Sequence, residues 1–80
     1  MSRELILEKV NLIFKRIFED DEITINFFSS SNDIDEWDSL NNIQLIIAIE
    51  KEFKIRFQSS EIRGWVNVGE MCDAILKLKK

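Results

Sequence analysis

Apolar residues recur at intervals of three and four along most of this chain, and no proline interrupts them. This spacing is typical of one face of an α-helix, and it appears in residues 4–18, in residues 39–53 and after Asn67. Only two glycines are present, so polar stretches rather than tight turns separate these segments. The pattern predicts an all-α fold, a small helical bundle of three main helices plus one short helix near residues 60–64, with a long loop between the first and second helices.

The long loop over residues 19–38 is polar, but it carries large apolar side chains that we expect to hold it against the bundle. They are Ile23, Ile25, Phe27, Phe28, Ile34 and Trp37. A strand within this loop would have no partner strand, so none is expected. Asp38 or Ser39 is expected to cap the second helix, and Asn67 followed by Glu70 has the spacing of a capping box for the last one.

Composition narrows the class of protein. The 80 residues, 45% of them hydrophobic, are expected to form one domain over residues 1–80 and to be monomeric. A net charge of -4 argues against a nucleic-acid partner, whose phosphates require a basic surface. The chain has a single cysteine and no histidine, which predicts a cytoplasmic location and no metal site. It shows no signal segment and no long apolar run, so no membrane span is expected.

The acidic residues are concentrated in one region. Eight of them and no basic residue lie between Glu19 and Asp38, whereas the segments on either side have more basic than acidic residues. Such a region is usually a solvated surface, although it can also steer a basic partner.

The predicted second helix carries two apolar stripes. One, here called the core stripe, consists of Leu45, Ile46, Ile49 and Phe53, and the other, the outer stripe, consists of Leu40, Ile43 and Ile47. At 100° per residue the two lie on nearly opposite sides of the helix. Because so small a bundle can hardly bury a helix all round, we expect the outer stripe to be partly exposed for a partner. The alternative is that both stripes are ordinary core.

The segment over residues 34–53, with the sequence IDEWDSLNNIQLIIAIEKEF, resembles the signature of the acyl carrier protein family. In that signature an Asp-Ser-Leu tripeptide opens an apolar helix that ends in Glu-x-Glu-Phe. The similarity extends more weakly over the order of helices in the whole chain. It implies a non-enzymatic carrier that holds acyl groups as thioesters on a phosphopantetheine arm, as in fatty acid, polyketide or specialised lipid biosynthesis.

The resemblance also implies roles for individual residues. Ser39 matches the attachment serine, and Asp38 matches the flanking acid that helps a phosphopantetheinyl transferase to engage the site. Leu40, Ile43 and Ile47 match positions that contact partner enzymes, and Glu50 matches an acidic position on the same helix. The expected partners are the transferase, an acyl or aminoacyl ligase, and acyltransferase or synthase enzymes.

Some positions depart from the family pattern. Glu36 and Trp37 stand where many members have a glycine and a variable residue, and the Trp-Asp-Ser-Leu run resembles stand-alone carriers outside housekeeping fatty acid synthesis. Asn41, Gln44 and Lys51 stand where carriers of fatty acid synthesis often have acids. A dedicated set of partners is therefore expected.

Several residues have a simpler structural interpretation. Ser39 could be only a helix cap. Cys72 could hold a thioester or a metal ion, but among apolar neighbours it is expected to be a small buried side chain. Trp37 and Trp65 could line a cargo site, or they could be core or rim packing.

Three other functions remain open at this point. A peptidyl or D-alanyl carrier would share the attachment serine and differ in its aminoacyl cargo. An unmodified helical interaction module would use the outer stripe for binding while Ser39 only capped the helix. An enzyme is the weakest option, because the chain offers no histidine, no paired metal ligands and no glycine-rich phosphate loop.

Overall fold

The structure is a computed structural model that describes residues 2–30, 33–34 and 37–79, with the backbone alone for Ser39 and Arg63. It contains four helices, α1 (Arg3–Phe18), α2 (Ser39–Phe53), α3 (Ser59–Gly64) and α4 (Val68–Lys79). No strand occurs in the described part of the chain. The predicted all-α bundle of three main helices and one short helix is therefore confirmed, and each predicted helix boundary is within one residue of the observed one.

Local capping explains where the helices begin and end. Ser2 caps α1 by accepting the N–H of Leu5 at 3.1 Å. The carboxyl ends of α1 and α2 are closed by Glu19 and Lys54, which adopt left-handed backbone conformations with φ of 52° and 57°.

At the start of α4 the predicted capping box is only half formed. Asn67 Oδ1 accepts the N–H of Glu70 at 3.0 Å, as expected of a cap. The Glu70 carboxylate, however, accepts the N–H of Val66 at 2.9 Å rather than that of Asn67. The bond thus ties the α3–α4 connection, and not the cap itself, to the helix.

The core lies where α1 packs against both α2 and α4. Its fully buried members include Ile6, Val10, Phe14, Leu45, Ile49, Met71 and Ile75. Among the described residues, no helix is long and apolar enough to cross a membrane.

The long loop is fastened to this core, as its apolar residues predict. Ile23 and Ile25 are buried, and the N–H of Ile25 donates to Asn11 Oδ1 on α1 at 2.8 Å. The loop also accepts backbone bonds from α4, since the N–H groups of Val68 and Gly69 donate to the carbonyl oxygens at positions 29 and 27, each at 2.8 Å.

The expectation for Phe28 is wrong, because its side chain is 83% exposed. Asn26 and Ser29 close a tight turn around it: the N–H of Phe28 donates to Asn26 Oδ1 at 2.8 Å, and the N–H of Ser29 donates to the Asn26 carbonyl at 3.1 Å. The turn leaves Phe28 at its tip, away from the bundle.

Candidate functional site

The site begins at the amino-terminal end of α2. Asp38 is the N-cap, with extended backbone, and its Oδ1 accepts the N–H of Asn41 at 2.8 Å. Its carbonyl oxygen accepts the N–H of Asn42 at the same distance. Of the two predicted caps the structure therefore selects Asp38, and Ser39 is the first residue of the helix. The Ser39 side chain lies outside the described residues, so its role as attachment point stays a prediction.

Trp37, directly before the cap, is held from two sides. Its Nε1–H donates to Asn42 Oδ1 at 2.8 Å, and its ring stands edge-on to that of Phe14, with centroids 5.1 Å apart. Because Phe14 is fully buried, this contact anchors the residue before α2 to the core. The entry of the chain into the helix is thereby fixed.

A pocket of about 410 Å³ adjoins this entry. Trp37, Asp38 and Asn42 contribute from the side of α2. The opposite side comes from α3, the start of α4 and their connection, namely Ile62, Trp65, Val66, Asn67 and Met71. The ring of Trp65 is supported by Phe57, at a centroid distance of 4.8 Å and close to perpendicular.

The two predicted stripes of α2 are separated as expected. Leu45, Ile46, Ile49 and Phe53 are 0%, 7%, 0% and 2% exposed, whereas Leu40, Ile43 and Ile47 are 66%, 57% and 48% exposed. The alternative that both stripes are core is thus wrong. Exposure does not by itself show docking, which stays a prediction.

Glu50 has a structural bond that the sequence did not indicate. Its Oε2 accepts the N–H of Phe57 at 2.9 Å, which ties the α2–α3 connection back to α2. At 100° per residue Glu50 lies beside the outer stripe. Its role in partner binding is therefore compatible with its position, but one carboxylate oxygen already serves the fold.

Cys72 is a buried side chain, as predicted, and it is fully inaccessible to solvent. Burial raises the pKa of its thiol to about 11, an effect that nearby Arg3 partly offsets and Asp73 reinforces. A neutral, covered thiol is a poor nucleophile and a poor ligand. Among the described residues no cluster of three or more His, Cys, Asp or Glu side chains could hold a metal ion.

The sequence analysis did not predict that Asn42 and Asn67 line the same pocket. One signal was present for Asn42: at 100° per residue it falls on the same side of α2 as Leu45 and Ile49, where a polar side chain is unusual. For Asn67 the capping pattern explained the residue fully, so nothing local indicated a second role.

These features define a four-helix domain with an aspartate-capped helix, an exposed apolar stripe on that helix, and a pocket beside the cap. The solution NMR structure of the holo acyl carrier protein from Geobacter metallireducens is similar, with a TM-score of 0.85 and 39% sequence identity. The match covers 90% of this chain and 83% of that one. No protein-family model and no curated protein matches the chain. On the strength of the structural match, the chain belongs to the acyl carrier protein family.

Proposed function

We propose that the chain is a single-domain cytoplasmic carrier, monomeric and not itself an enzyme, that holds acyl groups on a phosphopantetheine arm attached to Ser39. The observation that carries this proposal is the position of Ser39, the first residue of α2, directly after an exposed N-cap aspartate. When bound, the phosphopantetheine group supplies a terminal thiol on which an acyl group is held as a thioester. The similar structure from Geobacter is a holo form, which supports the same modification here.

The residues around Ser39 suit the arm. The first N–H groups of a helix have no intrahelical acceptor, and the positive end of the helix dipole favours a phosphodiester. Asp38 holds this first turn in place through Asn41, and it is exposed enough to contact a transferase. In the arming step the Ser39 hydroxyl forms a bond to phosphorus, its proton passes to a base of the transferase, and the adenosine bisphosphate part of coenzyme A leaves.

The outer stripe is proposed as the surface that partner enzymes contact. Leu40, Ile43 and Ile47 form an apolar strip on an exposed helix face that begins at the attachment serine. A partner that binds this strip covers apolar area and is brought to the residue that bears the cargo. The partners expected on this surface are the transferase, the ligase that loads the arm, and acyltransferase or synthase enzymes.

The test of the proposal is the intact mass of the protein after incubation with coenzyme A, magnesium and a broad-specificity phosphopantetheinyl transferase. We expect one arm per chain on the parent and on Ser60→Ala, an exposed serine on α3 that serves as control, and none on Ser39→Ala. Absence of the added mass on the parent with several transferases would leave an unmodified interaction module as the better explanation. An arm that persists on Ser39→Ala would show that another residue is the attachment point.

A further inference from the structure

One side-chain hydrogen bond spans the start of α2. The indole Nε1–H of Trp37 donates to Asn42 Oδ1 at 2.8 Å, so the bond joins residues on either side of Asp38 and Ser39 in the sequence. Trp37 and Asn42 are each half-buried, and water could satisfy the polar groups of both. The bond is therefore not required by burial, and what it adds is a fixed position for the residues between its ends.

The Trp37 end of this bond is held by the core. The Trp37 ring stands edge-on to that of Phe14, which is fully buried and stands edge-on in turn to Phe18. The backbone N–H of Trp37 also donates to the Ile34 carbonyl at 3.1 Å. Trp37 is thus fixed against the bundle, and the side chain of Asn42 ties the first turn of α2 to it.

The first turn of α2 is the part of that helix that most needs such support. Its N–H groups have no intrahelical acceptor, and helix ends fray. Two bonds to the N-cap hold this turn from within: Asp38 Oδ1 accepts the N–H of Asn41, and the Asp38 carbonyl accepts the N–H of Asn42, each at 2.8 Å. Asn42 therefore bonds twice to the segment before Ser39, once through its backbone and once through its side chain.

We propose that Asn42 is a positioning residue for the arming of Ser39 and that it acts through Trp37. The inference rests on the proposed attachment at Ser39. In that step the Ser39 hydroxyl oxygen bonds to the phosphorus of coenzyme A, its proton passes to a base of the transferase, and adenosine bisphosphate leaves. The reacting groups must meet in one geometry. The bond between Asn42 and Trp37 holds the first turn of α2 in that geometry before the transferase binds, so ordering it does not weaken binding.

The experiment measures steady-state arming of the parent, Asn42→Ala and Trp37→Phe at varied carrier concentration and saturating coenzyme A. Trp37→Phe keeps a ring against Phe14 and removes the indole N–H, and Asn42→Ala removes the acceptor at a helical position that favours alanine. In each variant we expect KM for the carrier to rise about fivefold, because the loss of one hydrogen bond lowers the population of the competent geometry by about that factor. The kcat should change by less than about twofold, because the bound complex has the same geometry.

The double variant shows whether the bond itself carries the effect. With both partners removed, KM should rise no further than in either single variant, because there is only one bond to lose. Two independent effects would instead multiply to about 25-fold. Asn42→Asp keeps an acceptor oxygen for the indole and should recover most of the parent's KM.

A control separates this role from a general loss of stability. Ile75→Val shortens a fully buried side chain on α4 and should destabilise the fold by an amount comparable to one hydrogen bond. Its KM should equal that of the parent. Circular dichroism at the assay temperature confirms that each variant is folded. If Asn42→Ala is not folded, Trp37→Phe against Ile75→Val gives the same test.

Three results would overturn the proposal in a parent that is armed. They are an unchanged KM in the folded single variants, a multiplicative effect in the double variant, and an equal rise of KM in Ile75→Val. A parent that is not armed at all would contradict the attachment at Ser39 itself, so the two failures are distinguishable.

Discussion

The two apolar stripes of α2 both contain leucine and isoleucine, but they differ in how far the rest of the molecule covers them. The core stripe packs where α1 meets α2, and the long loop and α4 complete that side of the molecule. The outer stripe, by contrast, is left 48% to 66% exposed. The difference shows that a hydrophobic pattern fixes which residues share a face, whereas the neighbouring elements decide which face is buried.

The packed side is also the side with the long-range polar bonds. Arg3 pairs with Asp73 at 2.8 Å and stacks over the ring of Phe27, 3.9 Å from its centroid, so that α1, α4 and the loop are held at one place. The exposed ion pair contributes little by itself. Its position matters because it covers the point where Gly69 donates to the Phe27 carbonyl. The open side has the exposed outer stripe instead.

The largest effect is expected from a matched pair of substitutions on α2, one in each stripe. Ile49→Ala removes a fully buried side chain from the core stripe and should lower the free energy of unfolding by about 3 kcal/mol. Ile47→Ala, on the outer stripe, should change it by no more than about 0.5 kcal/mol. Chemical denaturation followed by circular dichroism measures both.

The same pair separates folding from docking. Ile47→Ala should slow arming by the transferase, because the apolar contact is lost while the fold remains. Leu12→Ala, an exposed apolar residue on α1, should leave the arming rate unchanged. Equal destabilisation by the two isoleucine variants would contradict the assignment of one stripe to the core and the other to a partner surface.

A smaller effect is expected at the two glycines, of which Gly69 is buried and Gly64 is exposed. A Cβ at Gly69 would lie 2.7 Å from the Phe27 carbonyl oxygen, so Gly69→Ala must displace the loop from α4 and should cost about 2 kcal/mol. A Cβ at Gly64, the last residue of α3, would meet nothing within 4 Å, and Gly64→Ala should stabilise by about 0.5 kcal/mol. Thermal unfolding of the two variants gives the sign. A stable Gly69→Ala protein would show that the loop is not fastened as described.

The smallest effect is a pH dependence from Cys72 on the packed side. Because its pKa is raised from 9.0 to about 11 in the folded chain, folding favours the neutral thiol. This stability is fully present below pH 9.0 and is lost as the pH rises through about 11. The free energy of unfolding of the parent should therefore fall more steeply over that range than that of Cys72→Ala. Identical slopes would show that the thiol is not held in an apolar environment.

Much of the fold could be predicted from residues close together in the chain. The helices follow from apolar spacing, and the two candidate caps of α2, Asp38 and Ser39, follow from their position before a helical segment, because both depend on contacts within one or two turns. The structure was needed to choose Asp38 between them. The half-formed capping box at α4 and the exposed Phe28 were not predictable in this way. The Glu70 carboxylate accepts the N–H of Val66 because the α3–α4 connection lies within its reach. Phe28 is exposed because the turn at Asn26 places it at the tip.

The sequence by itself determined the order of helices, the two stripes of α2 and the burial of Cys72. It also contains the Asp-Ser-Leu tripeptide on which the resemblance to acyl carrier proteins rests. Only the tertiary structure decided that Trp37 and Trp65 belong to one pocket and that Asn42 and Asn67 line it together. Those residues are far apart in the chain. They line one pocket because α3 and the start of α4 pack beside the start of α2. The spacing of residues within a single helix cannot specify that packing.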